Sequence, residues 1–338
     1  MRTGIDILEN EIVQQYPDVL DILIRDHTTQ KNIFWATDNY EHLGEAYTYK
    51  APIAPNLITG DNGDIIMPRV HKDQVLQKAR SKEMAEVYTP SWVCNAQNNL
   101  IDDTWFGQKE VFNREIINSD GSKSWETNLD KIKYPKGKTW KHYIRDTRLE
   151  VACGEAPYIT SRYDSTTGDF ISVEKRIGIL DRKLRVINEN VDSTGEWLKA
   201  AQTAFKNTYA FEWQGDSLLL AREAMLASFI ENYTYKFGKE PLLKSIQYIA
   251  YIISWNVWQM DGLKGVIPNS CGHKTEVSVN LFGETETKHT FCQGCETGNI
   301  KKHNGIYCLV KDWSNKDLKT GKTGRKIRFV DLLNGKGK

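Results

Sequence analysis

The sequence predicts a mixed α/β fold built on a parallel sheet, and three runs of residues carry that expectation. Leu149-Glu-Val-Ala152 has the composition of a buried strand and stops at a glycine turn. Thr208-Tyr-Ala-Phe-Glu212 is rich in strand formers and stops at an acid. A helical run follows over 217–232, with Leu218, Leu219, Ala221, Met225, Ala227, Phe229 and Ile230 as its apolar positions. Pro241 opens the next helix as its first residue, and Leu242, Leu243, Ile246, Ile249, Ile252 and Ile253 form its apolar set. Residues 254–260 read as a third strand, closed by Asp261-Gly262. Strand, turn, helix and strand in repetition call for crossover connections and hence for parallel neighbours.

At 338 residues the chain exceeds the usual size of one domain. The expected division is an N-terminal accessory region over 1–85, an α/β domain over 86–265, and a small module with a basic tail over 266–338. In the first region 5–24 reads as a helix, and the prolines and Asn62-Gly63 of 51–63 mark a loop. Residues 73–87 read as a helix capped by Asp73, and 91–105 place Val93, Ala96 and Leu100 on one helical face. The polar, basic stretch 107–142 reads as a hairpin or extended loop.

Composition excludes several classes. Charged residues make up 26% and hydrophobic residues 40%, as in ordinary globular proteins. The net charge of +1 means that any nucleic-acid affinity must be local. The start, Met-Arg-Thr-Gly-Ile-Asp, lacks the apolar core of a signal peptide. The apolar stretches 218–230 and 246–258 carry Arg222, Glu223, Ser254 and Asn256 and are too short or too polar to span a bilayer. The expectation is a cytoplasmic protein without a membrane partner, its six cysteines serving as thiols or metal ligands rather than disulfides.

In an open α/β sheet, ligands bind at the carboxyl ends of the strands, where a glycine turn lets backbone approach them. Cys153-Gly154 fits that turn, Glu212 can accept from ribose hydroxyls, and Asp261 can accept from an adenine amino group. Taken singly, Gly154 also reads as a plain turn residue and Glu212 as a helix-entry acid favoured by the helix dipole. Their order is more specific. Tyr88-Thr89-Pro90-Ser-Trp-Val93, Glu150-Val-Ala-Cys-Gly154-Glu-Ala-Pro-Tyr158 and Ala210-Phe-Glu212-Trp-Gln-Gly-Asp-Ser-Leu-Leu-Leu-Ala-Arg222 follow one another over roughly 85–265. Together they resemble the S-adenosylmethionine motifs of the N6-adenine DNA methyltransferases, the M subunits of bacterial restriction–modification systems. The second segment resembles that family's Asp-Pro-Ala-Cys-Gly-Ser-Gly-x-Phe loop. The third resembles, in register, its Gly-Ile-Asp-Ile-Asp-Pro-x-Ala-Val-x-Leu-Ala-Arg.

The resemblance implies a Rossmann-like class I methyltransferase sheet holding S-adenosylmethionine. Tyr88, Thr89 and Pro90 would close over the donor, and Glu150, Ala152, Cys153 and Gly154 would form its loop. Glu212 would grip the ribose, Trp213 would pack on the adenine, and Asp261 with Gly262 would sit beside the adenine amino group. Three features depart from the family pattern: Glu150 stands for Asp, Ala156 stands for the second glycine, and the interval from 154 to 212 is long. Ala156 requires a negative φ. The larger departure is the absence of the Asn/Asp-Pro-Pro-aromatic segment that polarises the flipped adenine, since the nine prolines include no adjacent pair. Pro268-Asn269 has the reverse order. Residues 326–333 resemble the lead-in strand of that missing segment. The implied function is the donor-binding part or subunit of a DNA adenine methyltransferase, inactive alone, with DNA and a complementing methyltransferase or specificity chain as partners. The alternatives are a truncated relic, or a non-catalytic DNA-binding or assembly subunit with a vestigial pocket. A nuclease reading lacks an Asp…Glu-x-Lys cluster, with only Val173-Glu174-Lys175 to offer.

A second constellation joins Cys271-Gly-His273 to Cys292-Gln-Gly-Cys295, with 18 residues between the pairs. Four Cys/His ligands in two close pairs suit a structural zinc ion in a ribbon-like module, and His289 and Cys308 are substitutes for any one of them. The competing reading is an incidental set of cysteines in a reduced chain. The alternation over 275–281 suggests a small hairpin between the pairs, too small to bury a core alone. The lysines and arginines of 301–338 suit DNA phosphates or a solvated surface, as does 131–141 with Tyr134 and Trp140 interleaved.

Overall fold

The computed structural model describes residues 9–72, 89–272, 274–279, 285–317, 321 and 323–333. Strands β1 (Asn113–Ile117) and β2 (Lys123–Thr127) form an antiparallel hairpin within the polar stretch 107–142. The next three, β3 (Arg148–Val151), β4 (Thr208–Glu212) and β5 (Val257–Gln259), make a parallel sheet in the order β3-β4-β5. Two helices, Ile179–Asn190 and Thr194–Lys206, link β3 to β4 and account for the long interval from 154 to 212. Two more, Gly215–Phe237 and Leu243–Asn256, link β4 to β5. The first of these stops at Gly238, whose φ of 64° gives the left-handed cap that side chains resist.

Alternation along β4 decides what covers the sheet. Ala210, with its register partner Val257, joins the large core formed with the helices. Phe211, with its partner Trp258, faces a second apolar cluster containing Met260, Ile267, Val310 and Phe329. The hairpin of β8 (Leu309–Lys316) and β9 (Thr323–Arg328) supplies Val310 to that second face. Between β5 and β8 lies another hairpin, β6 (Lys274–Val279) with β7 (Thr285–Thr290), where alternation predicts one.

Several expectations are corrected. The helix over 5–24 is two pieces, Glu9–Gln15 and Val19–Leu23, because Pro17 cannot donate into a helix and Asp18 takes a φ of 65°. Pro241 lies before the cap residue Leu242 rather than at the first helical position. That helix runs on to Asn256, so the third strand shrinks to Val257–Gln259. The extra turn is held by Trp255 stacking on His27 at 4.0 Å and by Asn256 Nδ2 donating to the carbonyls of Phe205 and Thr208 at 2.9 and 3.1 Å. Residues 326–333 are not a lead-in strand of the parallel sheet. They finish β9, antiparallel to β8, and then form the helical turn Phe329–Leu332. Burial of Phe329 against Phe211 and Trp258 draws the chain onto the second face of the sheet. The predicted helix over 73–87 lies outside the described residues.

The N-terminal region shares its core with the sheet: Ile12, Leu23, Trp35, Ile53 and Ile58 are buried in the same cluster as Leu184, Trp197, Leu219 and Ile253. Phe34 exchanges hydrogen bonds with the Gln259 carboxamide at 3.1 and 2.8 Å, tying that region to the end of β5. A Cβ on Gly215 would strike the Phe34 carbonyl, so only glycine lets the helix start this close to the N-terminal segment. A buried network fixes the other end of the sheet. Asp102 receives Arg182 at 2.6 Å, the Tyr143 hydroxyl at 3.0 Å and Arg148, the first residue of β3, at 3.3 Å. No described helix is long and apolar enough to cross a membrane.

Candidate functional site

A cavity of about 1080 Å³ opens at the carboxyl ends of β3 and β4, just above the usual range for small-molecule sites. Its wall includes Thr89, Glu150, Ala152, Cys153, Gly154, Glu212 and Trp213 from the expected set. Glu212 closes β4, and its carboxylate spans the two strand ends. Oε2 accepts from the Gly154 N–H at 2.8 Å, and Oε1 accepts from the N–H groups of Trp213 and Gln214 at 2.8 and 3.2 Å. Burial raises the Glu212 carboxyl, and these three N–H groups pull it back. Glu150 is more exceptional. One oxygen accepts a long bond from the Tyr158 N–H at 3.4 Å, while the buried Oε2 has no hydrogen-bond partner among the described residues. Burial pushes the Glu150 carboxyl up to about 8, against partial relief from backbone N–H groups.

The backbone around the cavity is strained. Ala36, Ala152 and Asn269 line it with φ of 52°, 52° and 56°, and Ala156, inside the 150–158 loop, has φ of 60°. A left-handed alanine costs about 1 kcal/mol or more, and such residues cluster at ligand sites. The expected negative φ of Ala156 is thus corrected. Its conformation is imposed by the turn, in which Ala156 donates to the Cys153 carbonyl at 2.7 Å and accepts from Thr160 at 2.9 Å.

Other expected residues serve different ends. Tyr88 lies outside the described residues, and Pro90 precedes the helix Ser91–Phe106 without entering the wall. Asp261 does not line the cavity. Its Oδ1 accepts from the backbone of Leu263 and Lys264, and its Oδ2 lies 3.4 Å from Lys264 Nζ, so it closes its own turn. Gly262 is required by packing, since a Cβ there would meet the Phe211 ring at 2.6 Å. Tyr49 and Asn269 are wall residues that sequence patterns do not mark. Trp213 Nε1 donates to the Tyr49 hydroxyl at 2.9 Å.

The second site is a metal-type cluster. Ligand atoms of Cys271, Cys292, Cys295 and His303 all lie within 4.8 Å of one another, an arrangement that could hold a metal ion. Cys271 Sγ is 3.2 Å from Cys292 Sγ, 3.5 Å from Cys295 Sγ and 3.2 Å from His303 Nδ1. His303 Nδ1 is 3.6 and 3.7 Å from the sulfurs of Cys292 and Cys295. Tetrahedral zinc, with its usual bond lengths, sets S···S edges of about 3.8 Å and S···N edges of about 3.6 Å. The expected His273 lies outside the described residues, and among those described His303 is the histidine that completes the cluster. Cys308 is no substitute: it is buried, with Sγ 3.4 Å from the Gln259 carbonyl.

Local folding explains how the ligands meet. Cys292 caps the short helix Gln293–Thr297, which turns Cys295 back beside it, and the Asn304 N–H donates to Cys292 Sγ at 3.4 Å. Burial raises the Cys292 thiol, but that N–H, the Cys295 N–H and the neighbouring ligand side chains outweigh it and bring the thiol down to about 5. The Asn304 carboxamide clips both polar groups of Gly272 at 3.1 and 2.8 Å, which fixes Cys271. Gly294 lies flat against His303, where a Cβ would meet His303 N and Nδ1 at 2.6 Å. Gly294→Ala is therefore expected to weaken metal binding about tenfold or more, as measured by competition with a chelator. His303 escaped sequence reasoning because Cys-x-His drew attention to His273. The only local signal was a histidine at an Asn-Gly turn soon after Cys-x-x-Cys.

The basic tail is partly structural. Lys311 is buried and lies 4.9, 5.2 and 4.6 Å from the ring centres of Tyr251, Trp255 and Trp313, and Arg328 pairs with Asp331 at 2.9 Å. In comparison with known proteins, no family model, no curated protein and no solved structure matches this chain.

Proposed function

We propose that this chain binds S-adenosylmethionine in the cavity above β3 and β4, on a Rossmann-like sheet, as the donor-binding part of a DNA adenine methyltransferase. The observation that carries this reading is the pair of buried carboxylates at adjacent parallel strand ends, Glu150 and Glu212. A carboxylate oxygen has two acceptor sites, so Glu212 can receive ribose hydroxyls while still holding Gly154. Trp213 offers a ring to the adenine. The unpartnered Oε2 of Glu150 is suited to the ammonium of the methionine part, which would satisfy a buried acceptor that is otherwise costly. The Asn-Pro-Pro-aromatic segment is to come from a complementing chain that also engages DNA. Among the described residues β3 pairs only with β4, which leaves its outer edge open to a further strand. Cys271, Cys292, Cys295 and His303 are assigned to a structural zinc ion. A closed four-ligand set leaves no position for a reacting water. The six free cysteines suit a cytoplasmic protein.

Calorimetric titration of the full chain with S-adenosylmethionine is expected to show one saturable site. Absence of binding at millimolar donor would overturn the reading. Metal analysis is expected to find about one zinc per chain, and well under one equivalent would reject the zinc assignment.

A further inference from the structure

Asp261 does not line the cavity, so the purine edge of a bound adenosyl ligand needs another reader. We propose that Asn269 is that reader and that the metal cluster holds it in the cavity wall. The inference rests on the proposed donor site and deepens it.

Asn269 lines the cavity together with Tyr49 and with Trp213, the residue assigned to stack on the base, whose Nε1 donates to the Tyr49 hydroxyl at 2.9 Å. A ligand stacked on Trp213 therefore presents its edge toward the Tyr49–Asn269 side. The carboxamide offers a donor and an acceptor side by side. That pattern matches the adenine amino group next to a ring nitrogen, and it mismatches a purine carrying an oxo group in the amino position.

The backbone explains why this side chain needs support. Asn269 holds a φ of 56°, which asparagine tolerates better than most residues but does not favour. The next residues pin it. Ser270 N and Oγ donate to the Ile267 carbonyl at 3.0 and 2.7 Å, and Ser270 Oγ accepts from the Ile306 N–H at 3.0 Å. Cys271, two residues beyond Asn269, belongs to the cluster that could hold a metal ion. A Cβ on Gly305 would meet Cys271 Cβ and Ser270 Oγ at 2.8 Å, so the 303–306 turn presses directly on this segment. A metal ion bridging Cys271 to His303 locks the two segments together. Without it, the strained Asn269 backbone is free to relax away from Tyr49.

The test uses the zinc-loaded full chain, S-adenosylhomocysteine and its oxo counterpart S-inosylhomocysteine. The native chain is expected to prefer the adenosyl compound by about tenfold, the discrimination of one bidentate amide contact. Asn269→Gly removes the carboxamide and suits the φ of 56°, so the fold is preserved; it should bind the adenosyl compound about tenfold more weakly and lose the preference. Stripping zinc with a chelator should produce the same loss, and saturating S-adenosylhomocysteine should raise zinc affinity by the same factor. If Asn269→Gly keeps native affinity and preference, or if the stripped chain does, the inference is overturned while donor binding stands. If the loaded native chain binds neither compound, the donor site itself is rejected.

Discussion

Asp102→Ala is expected to cost about 3–5 kcal/mol of folding stability, the usual penalty for orphaning a buried charge. Arg182 is 1% exposed and delivers its guanidinium to Asp102 at 2.6 Å, with Arg148 at 3.3 Å and the Tyr143 hydroxyl at 3.0 Å on the same carboxylate. Removing the carboxylate leaves two largely desolvated cations facing a cavity. With total stabilities of about 5–15 kcal/mol, such a loss brings the chain near its unfolding threshold. Chemical denaturation measures it, with Glu126→Ala as the contrast. The Arg114–Glu126 pair is equally short at 2.6 Å, but its side chains are 60% and 62% exposed, so its loss should cost under about 1 kcal/mol. A cost below 1 kcal/mol for Asp102→Ala would contradict the burial of this network. Because Arg148 begins β3, whose far end shapes the cavity, the same variant should also weaken ligand binding.

Glu150→Gln is expected to have the second-largest effect, and its sign depends on pH. The Glu150 carboxyl rises to about 8 in the folded chain from an ordinary value near 4.5. Between those values the folded chain keeps a proton that the unfolded chain has released. Its contribution to stability is therefore full below about pH 4.5 and falls by about 1.4 kcal/mol per pH unit until about pH 8. Glu150→Gln removes that decline, so the variant should be the more stable protein at pH 8 and lose its advantage toward pH 4.5. Ligand binding should show the opposite cost. An ammonium placed against Oε2 favours the carboxylate, so donor affinity should rise from pH 6 to pH 8 with release of a proton. Calorimetry in buffers of different ionisation enthalpy detects that release. Glu150→Gln should bind more weakly and release no proton, and an unchanged affinity would remove Glu150 from the ligand site.

The strand β4 was fully legible, with 208–212 matching its bounds, because a short run of strand formers between an asparagine turn and a helix-opening acid admits few alternatives. The places of Glu212 and the Cys153–Gly154 turn at strand ends were legible for the same local reason, since each closes a run of strand formers. The third strand was misread because the apolar sequence 254–260 suits helix or strand alike, and the choice falls to His27 stacking on Trp255 from far away in sequence. Asp261 looked like a ligand-binding acid, yet its side chain satisfies the turn that follows it. Tyr49 and His303 owe their places to contacts across 164 and 32 residues of chain, and no periodicity reports those. The lead-in strand failed because Phe329 finds its burial on the second face of the sheet.

The most direct measurement of the central proposal is ultraviolet crosslinking of methyl-labelled S-adenosylmethionine to the full chain, followed by peptide mapping. Label is expected in the peptides that contain Glu150–Tyr158 or Glu212–Ser217, and competition with S-adenosylhomocysteine should abolish it. Label confined to other peptides, or label that S-adenosylhomocysteine does not displace, would contradict a donor site at the ends of β3 and β4.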